Sequence, residues 1–150
     1  MVRAAAQGMA EDQHLGTSYY RPLISGLPEM NLVARQLWEG AGIGPSDVQA
    51  AILYDHFTPY VLIQLEELGF CGRGEAKDFV REGNLEIGSR LPTNTHGGQL
   101  GEAYIHGLNG VSEGVRQVRG TSVNPVEGVE HVLVTAGTGV PTSGLILGRA

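Results

Sequence analysis

Apolar residues recur every three or four positions in three stretches of this 150-residue chain, and each stretch predicts an amphipathic helix. The clearest is Pro28–Ala41, which has a proline in its first turn and glycines at its end. The second begins at Pro59, with Thr58 as its expected N-cap. The third begins at Gly101 and contains three further glycines, which predict close packing against its neighbours.

Shorter apolar stretches predict strands. Residues 49–53 form a buried strand, and residues 131–137 and 143–149 form a hairpin across a glycine-rich turn. The opening residues, 2–20, alternate weakly and then become polar, which is typical of a strand and loop inside a longer protein. Residues 71–90 are charged and rich in glycine, and they predict a surface loop that contains a short helix.

Helices and strands alternate along the chain, so the pattern predicts an α/β domain in which helices cover a mixed sheet. A length of 150 residues with 41% hydrophobic residues suits one domain with one core, over residues 1–150. Because the opening is unusual for the first strand of a domain, we expect the chain to be part of a longer protein.

Composition narrows the classes of function. The net charge is −6, and lysine and arginine do not cluster, which argues against nucleic acid as the main partner. The longest apolar runs are far shorter than a membrane span, and residues 1–10 make a poor signal peptide. The single cysteine excludes an intrachain disulfide framework and is typical of a reducing cytosol. We therefore expect a cytoplasmic protein without a membrane partner.

Two segments carry titratable side chains between a predicted strand and a predicted helix, where ligands usually bind in open α/β sheets. The first consists of Tyr54, Asp55, His56 and Phe57, and the second is residues 94–104. Neither segment is a metal-ligand array, a phosphate loop or a nucleophile elbow, so residue types alone indicate no particular reaction.

A structural role is the alternative at each of these positions. Asp55 is as consistent with a helix cap as with a catalytic group. His56 is more consistent with a surface or supporting side chain than with a catalytic one. Tyr54 and Tyr104 fit buried core tyrosines on pattern alone, and His96 beside two glycines fits a turn. The spacing does not choose between these roles and catalysis.

Three motifs, in order along the chain, resemble the C-terminal half of thiolase-fold proteins. They are residues 54–76 (YDHFTPYVLIQLEELGFCGRGEA), 91–120 (LPTNTHGGQLGEAYIHGLNGVSEGVRQVRG) and 132–149 (VLVTAGTGVPTSGLILGR). They are most similar to the lipid-transfer-protein or sterol-carrier-protein type of thiolase. The resemblance implies one of the two duplicated thiolase halves, with the N-terminal half and its nucleophilic cysteine lying outside this chain.

The motifs depart from the thiolase pattern where that family keeps its catalytic groups. Tyr54 opens the stretch where thiolases have Asn-Glu-Ala-Phe, Gly101 is followed by Glu102 instead of His-Pro, and Thr135 stands near the place of a second cysteine. The one cysteine, Cys71, matches no catalytic position of the family. Claisen chemistry needs a thiolate, a base and a second acid/base, so the departures imply that it is lost.

This altered pattern is similar to that of thiolase-like retro-aldolases of bacterial steroid side-chain degradation. It implies cleavage of a β-hydroxyacyl-CoA, typically 17-hydroxy-3-oxo-pregnene carboxyl-CoA, to a 17-ketosteroid and propionyl-CoA. Tyr54 and Tyr104 are then the catalytic acid/base pair, with neither role assigned to either residue. Asn94, His96 and Glu102 are weaker candidates for orienting or polarising the substrate.

The same resemblance implies the partners. The acyl-CoA substrate brings its own activation, so neither a metal nor another cofactor is expected. A partner protein with an OB-fold of the DUF35 type and a homodimer formed through the N-terminal half are expected. The alternatives are a thiolase-like acyltransferase of the acetyl-CoA acetyltransferase type, a non-catalytic carrier of lipid or acyl-CoA, and a half-domain that is inactive by itself.

Overall fold

The computed structural model describes residues 1–11, 18–103, 105–138 and 142–150. Its elements are, in chain order, β1 (Val2–Gly8), α1 (Pro28–Ala41), a 3₁₀ helix (Pro45–Asp47), β2 (Ala50–Ile52), α2 (Pro59–Glu67), α3 (Ala76–Arg81), α4 (Gly98–Gly101), α5 (Leu108–Arg119), β3 (His131–Ala136) and β4 (Thr142–Gly148). The predicted alternation of helices and strands is confirmed, and α3 is the short helix predicted in the charged loop. Within these ranges, none of the helices has the length and apolar character of a membrane span.

The four strands form one mixed sheet in the order β1–β4–β3–β2. Strands β1 and β3 each pair antiparallel with β4, whereas β2 pairs parallel with β3. The predicted hairpin, β3–β4, therefore lies in the middle of the sheet, and the opening residues of the chain form an edge strand. Beyond β2, Thr93 adds one parallel bridge to Ala51.

Successive residues of each strand point to opposite faces of the sheet. On β3, Leu133 packs in a core with residues of α1 and α2, whereas Val132 and Val134 pack with the valines of α5. On β4, Ile146 and Leu147 divide between the same two clusters. Helices therefore lie on both faces, and two buried clusters replace the single core that the chain length suggested.

Helix α1 has the predicted bounds because its apolar pattern and its end signals agree. Met30 and Leu37 are fully buried, and Gly42 ends the helix with a left-handed φ of 67°. Helix α2 begins at Pro59 as predicted, but the prediction of a side-chain cap at Thr58 is wrong. The backbone of Thr58 is already helical, and its side chain makes no capping hydrogen bond. An N-cap needs a non-helical backbone, which Thr58 lacks.

The predicted start of the third long helix is wrong, since α5 begins at Leu108 and not at Gly101. Gly107 precedes it with a φ of 99°, outside the helical region, so the chain turns there. Leu108 is consequently 65% exposed and does not belong to the buried face. The predicted close packing is confirmed within α5, because a Cβ on Gly114 would lie 2.7 Å from Cγ2 of Val134.

Candidate active site

The carboxyl end of β2 leads into Tyr54, which is 8% exposed and has both backbone groups fixed by buried side chains. Its N–H donates to Oγ1 of Thr135 at 2.9 Å, and its carbonyl accepts from Nε2 of Gln64 at 2.8 Å. Thr135 in turn donates to Oε1 of Gln64 at 2.6 Å. This closed set of hydrogen bonds anchors Tyr54 where β2, β3 and α2 meet.

The segment that contains Asn94 runs beside the same end of β2. The N–H of Asn94 donates to the carbonyl of Ala51 at 2.9 Å, and its Oδ1 accepts from the N–H of Leu53 at 2.8 Å. Its φ of 52° is left-handed, a conformation that asparagine adopts more readily than most residues. The side-chain oxygen of Asn94 thus holds this segment to the end of β2, and the amide nitrogen of Asn94 makes no part of that contact.

A carboxylate of the first segment caps a turn of the second. Asp55, which is buried, accepts a hydrogen bond from the N–H of Gln99 in the first turn of α4 at 2.6 Å. The preceding residue, Gly98, has a φ of 71°, and a Cβ there would lie 2.0 Å from Oδ2 of Asp55. Only glycine lets the two segments approach this closely. Asp55 therefore caps a helix, as one alternative held, but that helix is α4 and not α2.

His96 and Glu102 lie close together on the two sides of α4. Nε2 of His96 is 3.8 Å from Oε2 of Glu102, and the His96 side chain is 4% exposed, against 37% for Glu102. Neither ring nitrogen of His96 has a hydrogen-bond partner among the residues that the structure describes. This is unusual, because most buried polar side-chain atoms are hydrogen-bonded. The structure therefore brings these two predicted residues together around an unpaired imidazole.

His56, for which a surface or supporting role was the alternative, is packed among aromatic rings. Its ring centroid is 5.0 Å from that of Tyr54 and 4.8 Å from that of Tyr60. Oγ1 of Thr138 lies 3.1 Å from its Nε2. Burial lowers the pKa of His56, and the nearby carboxylate of Asp55 offsets part of that effect. Apart from the adjacency of His56 to Tyr54, no sequence pattern predicted these contacts.

Tyr104 lies outside the described residues, so its pairing with Tyr54 stays a prediction. The described chain shortly after it does reach Tyr54. A Cβ on Gly107, which precedes the first turn of α5, would lie 3.9 Å from Cε2 of Tyr54 and 3.0 Å from Cβ of Ala136. The beginning of α5 is therefore placed against the Tyr54 ring.

A pair of buried amides was missed by the sequence analysis. Nε2 of Gln99 donates to Oδ1 of Asn109 at 2.9 Å. Oε1 of Gln99 and Nδ2 of Asn109 are buried without a hydrogen-bond partner in the described parts of the chain. Amides do not titrate, so a search for titratable groups passes over them. With His96, they place several unpaired polar atoms around α4 and the first turn of α5.

The comparison with protein families agrees with this architecture. Residues 17–149 match the family described as Thiolase C-terminal domain-like. The chain belongs to this thiolase C-terminal domain-like family. The membership confirms the predicted fold class, a mixed sheet covered by helices, and the resemblance from which the site residues were chosen.

Three known proteins similar to this thiolase-like domain are named as a lyase or as an aldolase. The 17-hydroxy-3-oxo-4-pregnene-20-carboxyl-CoA lyase of Mycobacterium tuberculosis is 74% identical over 99% of this chain and 38% of its own length. The steroid side-chain-cleaving aldolase of Thermomonospora curvata is 71% identical with the same coverage. The solved Ltp2-ChsH2(DUF35) aldolase matches with a TM-score of 0.96 and 70% identity over 99% of this chain and 39% of that one. The thiolase-like domain thus spans about two fifths of the length of these relatives.

The described parts of the thiolase-like domain hold neither an activated thiol nor a cluster of metal ligands. Burial raises the pKa of Cys71, the carboxylates of Glu66 and Glu75 raise it further, and Arg90 lowers it in part. A raised pKa keeps the thiol protonated and a poor nucleophile. Cys71 also lies beyond the C-terminal end of α2, whereas Tyr54 precedes the N-terminal end of that helix. In the same described ranges, no three His, Cys, Asp or Glu side chains are grouped as metal ligands would be.

A buried network of hydrogen bonds fixes the second site segment to α5. The Glu113 network consists of Thr95, Glu113, Gln117, Ser122 and Asn124. Oε1 of Glu113 accepts from Thr95 at 2.6 Å, from Ser122 at 2.7 Å and from Gln117 at 2.9 Å. Nδ2 of Asn124 donates to the carbonyl of Thr95 at 2.7 Å. Thr95, which lies between the predicted site residues Asn94 and His96, is therefore held to α5 by hydrogen bonds.

Proposed function

We propose that this chain is the C-terminal domain of a CoA-thioester retro-aldolase that cleaves a carbon–carbon bond in the side chain of a steroid β-hydroxyacyl-CoA. The observation that carries the proposal is 74% identity, over 99% of the chain, to a relative named as a lyase of a steroid carboxyl-CoA. The expected products are a 17-ketosteroid and propionyl-CoA. Because the chain spans 38% of that relative's length, we expect activity to require a further N-terminal half.

Retro-aldol cleavage makes definite demands on the site. A base takes the proton of the β-hydroxyl group, and a carbonyl forms at that carbon as the carbon–carbon bond breaks. The electron pair of the broken bond moves into the enolate of the thioester, and an acid then protonates the α-carbon. No acyl-enzyme forms, so the reaction is compatible with the protonated thiol of Cys71.

Tyr54 and Tyr104 are the proposed base and acid, with neither role assigned to either residue. The placement of Tyr54 supports this choice, since its backbone is fixed by Thr135 and Gln64 and its ring lies beside Gly107 at the start of α5. A phenol with a pKa of about 10 serves as a base only where its surroundings favour the phenolate. The partial positive charge at the beginning of a helix acts in that direction.

The residues around α4 are proposed to orient the thioester. His96 and Glu102 lie 3.8 Å apart, and the imidazole is buried with its nitrogens unpaired among the described residues. Nδ2 of Asn109 is a further buried donor in the same condition, and Asn94 holds the segment against β2. Such donors can polarise a thioester carbonyl as negative charge develops on its oxygen. The substrate carries the CoA, and the proposal includes no other cofactor.

The proposed assembly follows from the same relatives. The matched structure is named as an Ltp2-ChsH2(DUF35) aldolase, so we propose an OB-fold partner of the DUF35 type for this protein. The thiolase resemblance adds a homodimer formed through the N-terminal half and a cytoplasmic location. Both of these stay predictions.

The test uses the intact protein with its DUF35-type partner and a steroid β-hydroxyacyl-CoA. Release of the 17-ketosteroid is measured for the wild type, Tyr54→Phe and Tyr104→Phe. Each substitution removes only the phenolic hydroxyl, so each is expected to lower release by about a hundredfold or more, the scale of lost acid/base catalysis.

Tyr19→Phe is the matched control, because Tyr19 is 92% exposed and belongs to no part of the site described above. Its rate is expected to equal that of the wild type. Tight binding of acyl-CoA without any release would contradict the proposal in favour of a lipid or acyl-CoA carrier. Thiolysis of a 3-ketoacyl-CoA by the wild type would contradict it in favour of a thiolase-like acyltransferase.

A further inference from the structure

The half-buried imidazole of His56 contacts three aromatic rings, two from its own segment and one from α2. Its centroid lies 5.0 Å from that of Tyr54, 4.7 Å from that of Phe57 and 4.8 Å from that of Tyr60. The ring is stacked on Tyr60 with an interplanar angle of 29°, and it is tilted by 39° against Tyr54. His56 therefore forms the packing surface between the proposed catalytic tyrosine and a helix.

The same imidazole is also held from the loop that follows β3. Oγ1 of Thr138 lies 3.1 Å from Nε2 and 3.3 Å from Nδ1 of His56, and Thr138 is 8% exposed. A hydroxyl group both donates and accepts, so Thr138 can pair with either neutral tautomer of the ring. Contacts from α2 and from the end of β3 thus fix one side chain from two directions.

The charge of His56 depends on few neighbours. In the described chain, the titratable groups that face it are Asp55 beside it in sequence, Tyr54 after β2 and Tyr60 in α2, while the loop after β3 offers the uncharged Thr138. Burial favours the neutral imidazole and lowers its pKa, and Asp55 opposes this only in part. The Asp55 carboxylate is itself engaged by the N–H of Gln99 at 2.6 Å.

From this geometry we infer that His56 is a positioning residue for Tyr54. Tyr60 and Thr138 hold the neutral imidazole of His56, and the imidazole keeps Tyr54 in the orientation required for proton transfer. The inference rests on the proposed aldolase function. Burial disfavours the imidazolium cation, so protonation should move the His56 ring out of its packing against Tyr54 and Tyr60 and release Tyr54 from that orientation. The loss of activity at acid pH should therefore follow the titration of His56.

The first test is the pH dependence of kcat for ketosteroid release by the intact protein with its DUF35-type partner. For the wild type, we expect an acid limb with a midpoint below about 6.5, the ordinary pKa of histidine. His56→Phe keeps an aromatic ring but cannot titrate. It should lower kcat at pH 7.5 by about tenfold, leave KM within about twofold, and lose that acid limb.

Thr138→Val and His131→Gln are the companion variants. Thr138→Val removes the hydroxyl group beside the imidazole and should move the acid midpoint of kcat. His131 lies at the opposite end of β3, so His131→Gln should leave both kcat and its acid midpoint unchanged. A His56→Phe enzyme with the wild-type kcat and the wild-type acid limb would overturn the inference. So would an acid midpoint that Thr138→Val leaves in place.

The second test does not depend on turnover. Nuclear magnetic resonance follows the imidazole of His56 and the ring carbons of Tyr54 in the wild-type protein as the pH is lowered. We expect one shared midpoint below about 6.5 for both residues. Tyr54 signals that ignore the titration of His56 would overturn the inference even in an active enzyme. If the wild type releases no ketosteroid, the aldolase proposal fails, and this titration still decides whether His56 acts on Tyr54.

Discussion

The Glu113 network and a second polar group, formed by His96, Gln99 and Asn109, lie in neighbouring parts of the fold but differ in hydrogen bonding. In the network, one oxygen of Glu113 accepts from three side chains at distances of 2.6, 2.7 and 2.9 Å. In the second group, called the 96–109 group after its first and last members, one hydrogen bond joins Gln99 to Asn109. Four of its buried atoms have no hydrogen-bond partner among the described residues: both ring nitrogens of His96, Oε1 of Gln99 and Nδ2 of Asn109.

The difference separates structural polar groups from groups kept for a ligand. A buried polar atom without a partner costs about 1–3 kcal/mol of stability, so several of them in one place mark a group that a bound ligand would satisfy. In the Glu113 network, the central oxygen has hydrogen-bond partners, and its bond with Thr95 fixes that residue to α5. We therefore expect the network to govern stability and the 96–109 group to govern substrate binding.

The largest effect on stability is expected for Glu113→Ala. The change removes the acceptor shared by Thr95, Gln117 and Ser122 and leaves a small cavity where the side chain was buried. The free energy of unfolding of the intact protein, measured by urea denaturation, should fall by about 3–5 kcal/mol.

Arg116→Ala is the matched control for the Glu113 network. Nη1 of Arg116 is 4.0 Å from Oε2 of Glu113, and the Arg116 side chain is 50% exposed. Because the guanidinium of Arg116 is half in solvent and lies at the long distance of 4.0 Å, it contributes little to the pair, and the loss should stay within about 0.5 kcal/mol. If the two variants unfolded at the same urea concentration, the network would not have the structural role assigned to it.

Fold class and most elements were predictable from local pattern, and the exceptions have a tertiary cause. Helix α1 and the hairpin β3–β4 carry their own periodicity and turn signals, so their bounds follow from sequence. The start of α5 does not, because the apolar spacing continues upstream of Leu108 while Gly107 adopts a φ of 99°. That conformation places the chain against Ala136 and Tyr54, which no local window of sequence contains.

The site was predictable as far as a family resemblance reaches. The resemblance selected Tyr54, and it named His96 and Glu102 as weaker candidates. The structure brings these two weaker candidates together. The resemblance did not indicate that the oxygen of Asn94 is used to hold β2, or that His56 is held by Thr138. Those contacts depend on the register between separate strands and loops, and single residue types do not encode it.

A smaller effect on stability is expected where the two site segments touch, at Gly98→Ala. Its φ of 71° is unfavourable for alanine, and the new Cβ would displace Oδ2 of Asp55 from a position 2.0 Å away. Asp55 would then lose its hydrogen bond with the N–H of Gln99. The two effects together should lower the free energy of unfolding by about 2–4 kcal/mol.

Gly97→Ala separates the backbone strain from the steric clash. Gly97 also has a left-handed φ, 100°, but the nearest atom to a Cβ there is 3.8 Å away. Its loss should be limited to the backbone cost of about 1–2 kcal/mol. Equal losses for Gly97→Ala and Gly98→Ala would show that the approach of Asp55 to Gly98 does not restrict this position.

The smallest effect on stability, and the sharpest contrast between the two polar groups, is expected from His96→Leu and Thr95→Val. His96 has no hydrogen bond to lose among the described residues, so an apolar side chain of similar size should leave the free energy of unfolding within about 0.5 kcal/mol or raise it. Thr95→Val, one position away, takes a donor from Glu113 and should cost about 1–3 kcal/mol. The KM for the steroid acyl-CoA should move in the opposite order, rising for His96→Leu and staying near the wild-type value for Thr95→Val. A His96→Leu protein that is destabilised as much as Thr95→Val, with an unchanged KM, would place His96 among the structural groups and remove the distinction between the two regions.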